Sequence, residues 1–434
     1  MPPHLVIVLP GILGTALKQG PRPLWDTSIA ALAGGVRRFP ATLDALRLPG
    51  AADVETAGLI RGWHLWPGFW AGAGYEHLRR ALPAQVLEFG YDWRRSNRDS
   101  AAALKVFTER ELAKWQTIHG REARVVFIAH SMGGLVARYY LEVLGGHELA
   151  TQLITIGTPY SGSIRAVRAL TGALLPRLPR LSEAFAHVAR TFPAVAELLP
   201  AYRCVLPAPA GEPVPLTGVD LPDLPTELVR HGRAFHDDLD AAVRLGGSRT
   251  YATHVFCGKR QPTEQSIVLT GRQTRYQRLQ RGADHAGDGT VAAFAAVPPE
   301  WPATGAALFH ATRHAALVKN PLLVDEVLDK VNEIPHGEVM RPAYELSLDL
   351  PAVARAGEPF TVRVGADLDD LLVHADVRSL DGVELDAHVP VPPLGEGGYA
   401  CTLTLPEGCW VIRVRTPAEH PPAIVEDVLP VTIG

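Results

Sequence analysis

The chain has 434 residues, more than a single hydrophobic core usually organises, so a large domain with a smaller companion is the expectation. Its 42 Lys and Arg against 46 Asp and Glu give a formal charge of -4 with no long run of one sign, which argues against a nucleic-acid partner. No uninterrupted apolar stretch reaches the ~20 residues that a membrane span needs.

The first segment with a clear pattern is Leu5-Val6-Ile7-Val8-Leu9, closed by Pro10-Gly11. It lacks the basic lead and the small-residue cleavage site of an export signal and reads as a core strand, so the expected setting is cytoplasmic. Similar runs recur at Gln85 to Phe89, Arg124 to Ala129, Gln152 to Gly157 and Thr253 to Cys257. Helical spacing separates several of them, as in Ser100 to His119 and Gly134 to Leu144. Apolar strands alternating with helices predict a mostly parallel sheet covered on both faces. Residues 164–245 break this rhythm with Leu, Ala, Pro and Arg and with amphipathic pieces at 180–199 and 227–245, and they are expected to form a cap. Asn320 to Asn332 is predicted as the closing helix of a domain spanning 1–335, and the residues up to Pro342 as a linker. From 342 to 434, short alternating stretches between Gly, Pro and Asp turns predict a small immunoglobulin-like all-β sandwich.

The four cysteines, Cys204, Cys257, Cys401 and Cys409, are too few and too scattered for a disulfide framework or a zinc site. Reduced thiols are expected. Cys401 and Cys409 flank Pro406-Glu407-Gly408 and could face each other across a hairpin.

The most informative run is strand Arg124 to Ala129, turn His130-Ser131-Met132-Gly133-Gly134, helix Leu135 to Leu141. A serine in such a turn is held exposed at the end of its strand and at the positive end of the next helix, the arrangement of the nucleophile in an α/β-hydrolase. Ala129 and Gly133, two before and two after it, are small enough for strand and helix to approach closely. Ser131 needs a base, and the base an orienting acid, which in this fold follow in the order acid, then histidine. Asp288, in Gly287-Asp288-Gly289-Thr290-Val291, sits in a Gly-flanked turn. His314 follows the last strand expected, Ala306 to His310, by one short loop. Asp284 is the rival acid; His285 and His310 are the rival bases. The oxyanion of a tetrahedral intermediate needs backbone donors. These are expected from Met132, the residue after the nucleophile, and from Ile12 in the loop Leu9-Pro10-Gly11-Ile12-Leu13-Gly14-Thr15.

Together these motifs resemble the lecithin:cholesterol acyltransferase family, which includes lysosomal phospholipase A2-like enzymes. The pieces that carry the resemblance are Val8-Leu9-Pro10-Gly11-Ile12-Leu13-Gly14, Tyr91-Asp92-Trp93-Arg94, Ala129-His130-Ser131-Met132-Gly133-Gly134, Ile156-Gly157-Thr158-Pro159-Tyr160-Ser161-Gly162-Ser163, Gly287-Asp288-Gly289-Thr290-Val291 and His314. They stand in the family's order across about residues 5 to 335. The resemblance implies a triad of Ser131, Asp288 and His314, an oxyanion hole including Ile12, and acyl-ester substrates that are typically lipids. Leu13, Tyr160 and Trp93 are the expected substrate contacts. The chemistry requires no metal or other cofactor.

A helical cap favours a lipase or phospholipase A over a short-chain esterase. An intracellular thioesterase or carboxylesterase, and a lipid acyltransferase, are the enzymatic alternatives; a scaffold on a degenerate hydrolase fold is the non-enzymatic one. The aromatics of Trp63-His64-Leu65-Trp66-Pro67-Gly68-Phe69-Trp70 suggest transient contact with a membrane surface. The expected partners are therefore a lipid or acyl-ester substrate and a protein bound through residues 342–434. A phospholipase inside its own cell would further be expected to act as a regulated effector, held in check by the cap or the sandwich.

Overall fold

The computed structural model describes residues 4–26, 44–48, 54–60, 74–82, 85–176, 178–208, 211–246, 250–301, 307–332, 345–368, 371–380, 383–416 and 423–432. The aromatic segment Trp63 to Trp70 and the linker lie outside them.

The organising element is a six-stranded sheet of β1 (Leu5–Leu9), β2 (Leu87–Glu88), β3 (Val125–His130), β4 (Ala150–Ile156), β5 (Ala252–Gly258) and β6 (Leu308–His310), in the order β6-β5-β4-β3-β1-β2 and parallel throughout. Every residue of β1 is buried, and alternation divides them between two cores. Leu5, Ile7 and Leu9 join the cluster that includes helix α2 (Met132–Glu142) and the helices of 164–245, while Val6 and Val8 join the cluster that includes the closing helix Pro321–Asn332. A strand covered on both faces has no polar side to offer, which explains the unbroken apolar runs. Each such side chain contributes about 1.5–3 kcal/mol by leaving water.

The sheet begins at β1, one strand in from an edge, reaches that edge at β2, then returns past β1 to β3. This reversal leaves a crevice outside the carboxyl ends of β1 and β3, where open α/β sheets bind their ligands. Helix α1 (Asn97–His119) carries the chain back from β2 to β3, with the Ser96 hydroxyl capping its start by accepting from the amide of Arg98 at 3.1 Å.

Between β4 and β5 the chain forms helices Ile164–Leu170, Pro179–Ala189, Pro193–Ala196 and Thr226–Leu245. They are tied to the sheet domain through the fully buried Glu197. Its carboxylate accepts from the Ser96 hydroxyl and the Asn97 amide, each at 2.6 Å, and pairs with Arg98 at 3.3 Å and His231 at 3.0 Å.

Residues 346–431 have a hydrophobic core of their own, between a four-stranded and a five-stranded sheet. Strands Gly398–Thr404 and Gly408–Arg415 belong to different sheets of this sandwich. Cys401 and Cys409 consequently do not face each other across a hairpin: Cys401 is opposite Val362 and Cys409 opposite Pro430. All four cysteines are free thiols.

His236, on Thr226–Leu245, is 3% exposed. Burial, with Arg233 nearby as a lesser cause, pushes its imidazole down to about 4. In the unfolded chain a histidine titrates near 6.5. The unfolded state thus takes up this proton first as the pH falls, and stability is lost from about 6.5 downward toward 4. We expect His236→Gln to remove about 1–2 kcal/mol of the stability difference between pH 7 and pH 5. Urea denaturation of both proteins at the two pH values measures it, and equal pH dependence would contradict it.

Candidate active site

Ser131 lies between β3 and α2 with φ 53° and ψ −126°, a conformation that an L side chain adopts only under strain. The turn is held from both sides. The Ser131 amide donates to the carbonyl of Ile156 at the end of β4, at 2.8 Å, and the Gly134 amide donates back to the Ser131 carbonyl at 3.0 Å. Position 133 must be glycine because a Cβ there would come within 2.4 Å of the Pro10 carbonyl oxygen. The close approach expected from Gly133 is thus an approach to the loop after β1, which lines the cleft.

The Ser131 hydroxyl is 2.8 Å from Nε2 of His314, and Nδ1 of His314 is 2.6 Å from Oδ2 of Asp288. A carboxylate only accepts, so the proton sits on Nδ1 and the lone pair of Nε2 faces the serine. Asp288 is 1% exposed, and its Oδ1 accepts from the amides of Thr290 (2.9 Å) and Val291 (2.7 Å). These bonds aim the carboxylate at the imidazole, and Gly289, at φ +88°, turns the backbone sharply enough to allow them. The amide of His314 in turn donates to the Asp288 carbonyl at 2.9 Å, fixing the two loops to each other.

The rivals have other partners. Asp284 accepts from the Gln265 side chain at 2.6 Å and the Ala286 amide at 2.8 Å. His285 lies 3.3 Å from the Gln280 carbonyl, and His310 pairs with Glu326 at 3.0 Å in the core behind the closing helix. Ile12 and Leu13 line the same cleft as Ser131 and His314. Met132 is the first residue of α2, with its side chain fully buried and its amide at the helix start.

Two expected substrate contacts are elsewhere. Trp93 is fully buried, donates its indole N–H to the Thr15 carbonyl at 3.0 Å, and packs edge-on against Trp25 and Phe192. Tyr160 is 2% exposed, bonded to the Thr155 hydroxyl at 3.0 Å and stacked under the Arg138 guanidinium. Both rings find their polar partner inside the protein, so neither turns to the cleft. Asp92 and Arg94 form a two-pronged ion pair, at 2.8 and 2.7 Å, that braces the same segment.

Two residues that the motifs did not single out complete the site. Tyr75 and His130 connect the loop after β1 to the backbone of His314. The Gly11 amide donates to the Tyr75 hydroxyl at 2.8 Å, which is 2.8 Å from Nδ1 of His130, whose Nε2 is 3.3 Å from the His314 carbonyl. A carbonyl cannot donate, so His130 carries its proton on Nε2, and its Nδ1 accepts from Tyr75. Burial, reinforced by His314, pushes His130 down to about 3, so it stays neutral and keeps these directions. Burial pushes the Tyr75 hydroxyl up, so that it too stays neutral. His130 stood within the serine motif; Tyr75, 55 residues before it, carried no local signal.

The cleft is narrow, with a free volume of about 60 Å³. Ile12, Leu13, Leu198, Val291 and Ala315 give it apolar walls, and Ser163 and Arg165, at the start of Ile164–Leu170, add polar ones.

A strained serine between strand and helix, at the carboxyl edge of a parallel sheet and in line with a histidine and an aspartate, defines an α/β-hydrolase. The family model of lecithin:cholesterol acyltransferase matches residues 60–222. The resemblance carried by the motifs therefore has its match in a segment that includes Ser131. Among solved structures, the lipase BlEst2 of Bacillus licheniformis in propeptide form is 12% identical, over 93% of this chain and 70% of its own, with a TM-score of 0.37. Phospholipase PlaB of Legionella pneumophila is also 12% identical, over 86% of this chain and 92% of its own, with a TM-score of 0.34. Fibronectin(III)-like modules of Clostridium thermocellum CbhA are 19% identical over 20% of this chain and 99% of theirs, with a TM-score of 0.15. No curated protein matches the chain.

Tyr75→Phe removes one hydroxyl and leaves the Gly11 amide and His130 Nδ1 without it. We expect a stability loss of about 1–3 kcal/mol, measured by chemical denaturation. A loss below about 0.5 kcal/mol would contradict the network, since a hydrogen bond of ordinary strength is worth at least that much.

Proposed function

We propose that this protein is a serine hydrolase of lipid acyl esters, acting through an acyl-enzyme on Ser131 with His314 as base and Asp288 as its orienting acid. What carries the reading is the continuous contact from the Ser131 hydroxyl through both nitrogens of His314 to Asp288, at 2.8 and 2.6 Å. Nε2 of His314 takes the serine proton as Oγ attacks the ester carbonyl. The Met132 and Ile12 amides receive the oxyanion, at the positive end of α2 and in the loop opposite it. His314 then returns the proton to the departing alcohol. Water, activated by the same imidazole, attacks the acyl-enzyme and frees the acid. An alcohol in the place of water would make the reaction a transfer.

The apolar walls and the helices beside them favour an acyl chain over a small polar acyl group. The family match, to an acyltransferase of a lipid ester, supports lipid acyl esters as the substrate class. Arg165 gives the cleft wall a cation suited to a head group.

The test is hydrolysis by wild type and Ser131→Ala across nitrophenyl esters of graded chain length and a phospholipid panel, with products identified by mass spectrometry. We expect a preference for long chains and a loss of roughly 10⁴-fold or more in kcat for Ser131→Ala, as for other serine triads. Full activity in Ser131→Ala would overturn the proposal; a preference for acetyl esters would redirect it to a small-molecule esterase.

A further inference from the structure

The serine and the loop after β1 follow strands that have neighbours on both sides. The base does not, and the acid sits far along a loop. His314 follows β6, a three-residue strand at the edge of the sheet, and Asp288 lies 30 residues beyond the end of β5. A base at an open edge and an acid on a long loop need bracing from outside the sheet, and here it comes from the sandwich.

Gln261, 1% exposed, is the first brace. Its backbone pairs with the acid loop, the amide donating to the Gly287 carbonyl at 2.9 Å beside Asp288. Its side chain points the other way and is held by the sandwich as a neighbouring strand would hold it. Nε2 donates to the Leu346 carbonyl at 3.2 Å, and Oε1 accepts from the Leu348 amide at 3.0 Å. Arg313, immediately before His314, is the second. Its guanidinium pairs with Asp427 on Ile424–Thr432 at 2.9 Å and also donates to the Leu348 carbonyl. Both side chains of this pair are nearly buried, at 14% and 10% exposure, so the charges are poorly screened. The half-exposed pairs around them, Lys259 with Glu345 at 3.1 Å and Arg278 with Asp349 at 3.2 Å, face water and contribute little.

We infer that the C-terminal sandwich is a working part of the active site, with Gln261 and the Arg313–Asp427 pair as positioning residues that hold Asp288 and His314 in register with Ser131. This rests on the triad reading above. It gives the domain a task within the chain, where the sequence suggested only an outside partner or a restraint. Small displacements of a base from its nucleophile cost large factors in rate, which is why a brace remote from the reacting atoms matters.

The full-length protein carrying Asp427→Asn, Gln261→Leu, Arg313→Met, Arg313→Lys or, as a rim control, Glu345→Gln is compared with wild type. Active sites are counted by exhaustive labelling with a fluorophosphonate, so that kcat is expressed per reactive Ser131. We expect Asp427→Asn, Gln261→Leu and Arg313→Met to lower kcat per site tenfold or more with KM changed less than threefold. Arg313→Lys should recover part of the loss, and Glu345→Gln should stay within twofold of wild type. A purely structural role would reduce the number of labelled sites and leave kcat per site unchanged, and that result overturns the inference. If a variant is too unstable to purify, Asp427→Asn, which keeps the shape and a neutral hydrogen bond, decides alone. Wild type that neither reacts with the probe nor cleaves any ester would instead overturn the triad reading itself.

Discussion

The site depends on a serine held in a backbone conformation that its own side chain disfavours. At φ 53° and ψ −126° Ser131 carries strain of about 1–3 kcal/mol, which persists only because its surroundings over-determine it. The surroundings here are the parallel sheet beneath, the Ile156 carbonyl that receives the serine amide, and the loop after β1 pressed against Gly133. Strain stored this way lifts the hydroxyl out of the sheet toward the cleft. It also places the following amide at a helix start, where a donor has no internal partner. The sheet topology supplies the location, since the chain reverses direction between β1 and β3.

Around this point the protein spends buried polar groups in a consistent manner. Asp288, His130 and Tyr75 are all removed from water, and each has its partners. Burial keeps His130 neutral, and its neutrality preserves the direction of the hydrogen bonds from Gly11 to His314. The loop after β1 and the loop of the base are therefore one connected unit. The sandwich adds Gln261 and Arg313 from the opposite side, so that the acid and base loops are held by the cores of both domains.

Much of this was legible in the sequence, for identifiable reasons. Strand β1 announces itself because a strand buried on both faces has no polar position, and Ser131 because strand, turn and helix occur within one short segment. The alternating residues of 346–431 likewise report a sandwich, since each sheet has one covered face. The contacts of Trp93 and Tyr160 were not legible. An aromatic ring with a polar tip suits a cleft or a core equally well, and only the positions of Thr15 and Thr155 settle which. The hairpin expected for Cys401 and Cys409 failed because a strand-turn-strand pattern does not say whether the second strand stays in the same sheet. Tyr75, Gln261 and Arg313 act through partners 64, 85 and 35 residues away, so no local pattern marks them.

In the proposed mechanism Ser131 is a nucleophile because His314 and Asp288 make it one. Its most direct test is reaction of the native protein with a fluorophosphonate, followed by mass spectrometry of the modified peptide. We expect one adduct per chain, on Ser131, that is absent in the unfolded protein and slowed by orders of magnitude in His314→Ala. An adduct on another residue, or Ser131 left unmodified in a folded chain, would contradict it.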